Sequence, residues 1–103
     1  MHLQDLIAKI RDAWTWDAKR YPKLDLADPT AMREHVLHHV YKAAGAMAAC
    51  QERYDHGVPF GSDEHRDASV KLLLNALQML ALENMTEDEI CRRLEAMLAS
   101  ANA

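Results

Sequence analysis

Residues 62–84 read SDEHRDASVKLLLNALQMLALEN, and this stretch decides the fold. Neither proline nor glycine interrupts it. Ala68, Val70, Leu72, Leu73, Leu74, Ala76, Leu77, Met79, Leu80, Ala81 and Leu82 fall at almost every angle of a helical wheel. Glu64, Asp67, Lys71, Asn75 and Gln78 recur at steps of three and four, so they form one narrow polar stripe. Ser62 or Asp63 is placed to cap the helix. A helix apolar over most of its surface is buried on most sides. In a chain of 103 residues, that burial calls for a second subunit.

Working outward, Asp55-His56-Gly57 ends the preceding helix, and Val58-Pro59-Phe60-Gly61 is loop. Gly57 suits a left-handed C-terminal cap. That preceding helix starts at Asp28-Pro29, a side-chain acceptor followed by proline at the first helical position, and runs to Tyr54. Val36, Val40, Ala43, Met47, Cys50 and Tyr54 make its apolar seam. A first helix is predicted from Leu3 to Lys19, ending before Tyr21-Pro22. A fourth opens at Thr86-Glu87-Asp88-Glu89 as a reciprocal capping box and carries Ile90, Leu94, Met97 and Leu98 on one face. The tail from Ser100 to Ala103 is expected to fray. Four helices with short connections predict a single all-α domain over residues 1–103, an antiparallel four-helix bundle completed by dimerisation.

Composition narrows the function. Half of the residues are hydrophobic but only 6% aromatic, and three Gly and three Pro are too few for an all-β chain. A net charge of −4 argues against nucleic acid as the partner. No apolar run approaches the roughly 20 residues of a membrane span, and the N-terminus lacks a signal-peptide pattern. The expected setting is the cytoplasm, where Cys50 and Cys91 remain free and fill core positions. Glycine-rich phosphate loops and nucleophile elbows are absent.

The chemistry-bearing residues gather on the two central helices. Glu64 and Asp67, three apart, can contribute to a Mg²⁺ shell or simply favour a helix N-terminus. His35 and His39, four apart, can hold zinc or nickel, with Glu64 or Asp67 completing the shell; the alternative is a polar, partly exposed helix face. A third arrangement makes His38, His39, Lys42 and Lys71 a small basic pocket for phosphate groups, with Asn75 and Gln78 as neutral hydrogen-bonding partners. Lys42 then either reaches a ligand phosphate or pairs with Glu64 or Asp67. Trp14, Trp16 and Tyr21 cluster near the end of the first helix, a pattern commoner in packing than in base stacking.

The order of these features resembles the all-α MazG-like nucleotide pyrophosphohydrolases over nearly the whole chain. The matching features are the aromatic segment from Trp14 to Pro22, the long second helix with Gly45, and the E-x-x-D motif Glu64-His65-Arg66-Asp67 at the head of a third. The resemblance implies a dimeric helical domain that takes nucleoside triphosphates with Mg²⁺. The family's other motif, E-E-x-x-E, is replaced here by Lys42-Ala43-Ala44-Gly45-Ala46. Losing three carboxylates removes most of the oxygen ligands and negative charge that several Mg²⁺ ions require. The expectation is therefore a non-catalytic or altered binding module for a nucleotide or another phosphorylated small molecule. His38, His39, Lys42, Lys71 and Asn75 would contact the ligand, and Glu64 and Asp67 would take Mg²⁺ only beside bound nucleotide. Two alternatives remain open: an active pyrophosphohydrolase with ligands redistributed to His35, His38, His39, Glu52, Glu64 and Asp67, and a protein-protein interaction module.

Overall fold

The structure, a computed structural model, describes residues 2–13 and 19–101, with residues 12 and 13 described by backbone alone. Four helices follow in order, α1 (Leu3–Ala13), α2 (Pro29–Asp55), α3 (Ser62–Leu82) and α4 (Glu87–Ala101), and no strand occurs among the described residues. The rest of the first predicted helix, with Trp14 and Trp16, lies outside the described residues as far as Lys19, which sits in a turn.

The helix ends follow local chemistry. Asp28 accepts from the Thr30 N–H at 3.0 Å and Pro29 is the first helical residue of α2. At its far end Gly57 takes φ +88°. Its N–H donates to the Tyr54 carbonyl and the Val58 N–H to the Arg53 carbonyl, the paired bonds of a Schellman cap. The end of α3 repeats this arrangement with Asn84 at φ 56°, where Asn84 and Met85 donate to Ala81 and Leu80. Asn84 is therefore the left-handed residue beyond the helix and not its last turn.

Two predicted caps differ from expectation. Gly61 occupies the N-cap of α3, and neither Ser62 nor Asp63 closes it with a side chain. At α4, Thr86 Oγ1 accepts from the Glu89 N–H at 3.3 Å, but the Glu89 carboxylate turns to Arg93 and the Glu87 N–H donates to Gln4 Oε1. The return half of the box, from the Thr86 N–H to the Glu89 carboxylate, is therefore absent, and a long-range bond from α1 satisfies a neighbouring first-turn N–H instead.

α2 and α3 form the largest interhelical contact and run antiparallel, tied at opposite ends by Arg53–Glu64 (2.7 Å) and Arg33–Glu83 (3.3 Å). α1 lies against α3, where Ile7, Ile10, Leu77 and Ile90 make the core cluster, with Leu3, Leu74, Leu80 and Met85 packed around it. α4 joins that cluster by its first turn. From Cys91 to Ala101 every residue of α4 is exposed, and the helix continues through Ser100 and Ala101, where fraying was expected.

The packing of α3 inverts the sequence expectation. The C-terminal part of its polar stripe is buried, with Asn75 at 8% and Gln78 at 5% exposure, while Glu64, Asp67 and Lys71 stay exposed and Val70 (65%) and Leu73 (59%) face out. The physical reason lies in α2, whose facing residues around Ala43 and Ala46 are small and leave room for polar side chains. Cys50 is buried, as expected of a core thiol, but Cys91 is exposed because α4 has left the body by that point. The α2 seam holds at Val36, Ala43 and Cys50, and ends in an exposed Tyr54.

Candidate functional site

The antiparallel pairing of α2 and α3 opens a cleft of about 520 Å³, within the range usual for small-molecule sites. α2 contributes His39, Lys42, Ala43 and Ala46. The α3 stripe contributes Glu64, Asp67, Lys71 and Asn75, with Ala68 and Leu74 between them. The small residues of α2 help to open the cleft: a leucine at Ala43 or Ala46 would project into it and narrow it. The structure thus gathers His39, Lys42, Lys71, Asn75, Glu64 and Asp67 around one space. It leaves His38 exposed and outside the lining, and Gln78 is buried beyond it.

Charge is unevenly engaged. Glu64 Oε2 accepts from Arg53 Nη2 at 2.7 Å, and the same nitrogen lies 3.4 Å from Cys50 Sγ. Arg53 is a residue the sequence reading missed. Its position eleven residues before Glu64, across a turn closed by Gly57, is a signal visible only once the hairpin register is known. Lys42 pairs with neither Glu64 nor Asp67; among the described residues Lys42, Asp67 and Lys71 make no ion pair within 4.0 Å. Two ammonium groups therefore face the cleft with their hydrogen-bonding capacity directed to solvent.

Asn75 is the most telling side chain. It is more than nine-tenths buried, lines the cleft, and makes no hydrogen bond to any described residue. No fully enclosed side-chain nitrogen or oxygen lacks a partner among the described residues, so the Asn75 amide meets solvent through the cleft. A buried amide in this position holds a donor and an acceptor ready for a ligand or an ordered water.

The histidines form a row beside the cleft. Nε2 atoms of His35 and His39 lie 3.2 Å apart, and Tyr21 meets His35 edge-on with ring centroids 4.8 Å apart. Burial first, then the neighbouring His39 and His38, push the His35 pKa below its ordinary 6.5. The i,i+4 pair is thus brought together, but no group of three or more His, Cys, Asp or Glu is assembled to hold a metal among the described residues. Glu52 is exposed and outside the cleft lining. Neither does the acidic pair fit a metal by itself: it offers two carboxylates, one already held by Arg53, where Mg²⁺ takes six oxygens.

No helix among the described residues is long and apolar enough to cross a membrane. The chain matches no protein-family model, no curated protein and no solved structure.

Proposed function

We propose that the protein is a binding module for a nucleotide or another phosphorylated small molecule, held in the α2–α3 cleft. The observation that carries this reading is the convergence of two unpaired lysines, Lys42 and Lys71, on the buried, unpartnered amide of Asn75. Ammonium groups supply charge-assisted hydrogen bonds to phosphate oxygens. Asn75 adds a neutral donor and His39 a ring nitrogen, while Ala43, Ala46 and Leu74 offer an apolar floor to the rest of the ligand. Asp67 is free to share a Mg²⁺ ion with bound phosphates, an ion that keeps several waters and needs few protein ligands.

The likeness to MazG-like proteins belongs to the same proposal. It rests on the helix order, on Glu64 and Asp67 at one cleft, and on Gly45 within α2. A cytoplasmic setting suits the exposed free thiol of Cys91. We also place the chain as a homodimer, since Val70 and Leu73 remain bare on α3.

The test is calorimetric titration with inorganic phosphate and with nucleoside mono-, di- and triphosphates, with and without Mg²⁺. Binding of at least one phosphorylated compound is expected. Lys42→Ala and Lys71→Ala should each weaken it about tenfold or more, the worth of a charged hydrogen bond. Failure to bind any of them refutes the reading. Release of pyrophosphate from a triphosphate in the same mixtures would instead favour a hydrolase.

A further inference from the structure

We propose that the projecting part of α4 docks into the groove between α1 and α3 of a second copy of this chain, and that the exchange is reciprocal. The inference rests on the homodimer named above and specifies its contact.

Residues 91–101 of α4 touch no covering surface, yet they hold an amphipathic pattern. Leu94, Met97 and Leu98 are 52–65% exposed and continue the line of Ile90, which is buried in the core. A helical segment this short is marginal in water without packing. The same chain carries an unfilled counterpart. A groove of about 360 Å³ runs along α1 and α3, lined by Leu6, Ile10, Val70, Leu73 and Leu77, with Lys9 as its charged member.

The chain's own α4 does not fill this groove. It is anchored where α1 begins and α3 ends, with Ile90 against Ile7 and Leu77 and the Glu87 N–H on Gln4. Beyond that anchor it runs into solvent, and the molecule extends 46 × 45 × 26 Å. Its radius of gyration, 16.4 Å, exceeds the roughly 13 Å usual for a domain of about 100 residues. A ridge and an empty groove on one chain are the two halves of an isologous contact, in which each surface meets its complement on the partner.

Charge and area agree with this occupant. Helical spacing puts Glu95 on the flank of the Leu94–Leu98 ridge, and neither Glu95 nor Lys9 has an ion-pair partner among the described residues. Docking brings them together. Leu6, Val70, Leu73, Leu94, Met97 and Leu98 expose on the order of 500 Å² of apolar surface per chain, which with its polar rim approaches the roughly 800 Å² per partner of a stable interface.

Light scattering after size-exclusion chromatography tests this at micromolar concentration. The 11.7 kDa chain should elute at twice its mass. Leu73→Asp and Leu98→Asp, both at exposed positions, should each give a folded monomer whose helical circular dichroism falls by no more than the share of residues 91–101. Lys9→Glu and Glu95→Lys should each weaken the dimer several-fold, and the double variant should restore it. A monomeric parent overturns both the dimer and this docking. A dimer indifferent to all four changes overturns the docking alone, and so does a dimer that the double variant fails to restore. Phosphate binding is measured separately, so its loss overturns the ligand reading without touching the docking.

Discussion

At the scale of single residues, His35 links stability to pH. Its pKa is held below 6.5 by burial and by the neighbouring imidazoles, so the folded chain binds a proton there less readily than the unfolded chain. The stability associated with neutral His35 is complete above the unfolded value. It declines as pH falls below about 6.5, and levels off once the folded-state pKa is passed. Thermal melts between about pH 7.5 and 5.5 should show a falling midpoint, and His35→Asn should flatten the slope. A slope unchanged by that substitution would assign the dependence to other groups. The i,i+4 spacing of His35 and His39 was legible in the sequence. The approach of Tyr21 was not, because it depends on how the α1–α2 connection returns across α2.

At the scale of elements, the α2–α3 hairpin divides what a pattern can tell from what it cannot. Helix existence, the Asp28-Pro29 start and the left-handed Gly57 follow from local chemistry, and the structure has all three. The facing of α3 does not follow, because a helix apolar on most sides carries no internal indication of which side wins. The alanines of α2 decide it, by leaving room for Asn75 at the main helix–helix contact while Glu64, Asp67 and Lys71 of the same stripe stay exposed. The site residues were legible because helical spacing alone groups them, Lys71 and Asn75 on one stripe of α3 and His39 and Lys42 one turn apart on α2, whichever way each helix turns. Gln78 gives the measurable outcome. It is buried, lies beyond the cleft, and bonds to no described residue. Gln78→Met keeps the volume and removes an amide that folding strips of most of its water, and should stabilise the chain by about 1 kcal/mol in urea unfolding. Ligand affinity should not change, since Gln78 does not line the cleft. A destabilised variant would mean that the amide has a partner in solution.

At the scale of the molecule, all-α architecture was legible from composition and periodicity, whereas the departure of α4 from the body was not. Its amphipathic face reads the same whether the covering surface belongs to its own chain or to another. The sparse enclosed core has a calorimetric consequence. Among the described residues nine hydrophobic side chains are buried, and only Ile7, Val36 and Cys50 are sealed at under 2% exposure. Unfolding raises heat capacity through newly hydrated apolar surface and lowers it through polar surface. A chain whose main helical contact encloses amides and alanines should therefore fall below the usual increment of about 12–15 cal/mol/K per residue. Scanning calorimetry of the separated monomer should find a small increment and, with it, a shallow stability curve. Such a curve bends little between cold and warmth, so the fold loosens gradually on heating and is slow to fail on cooling.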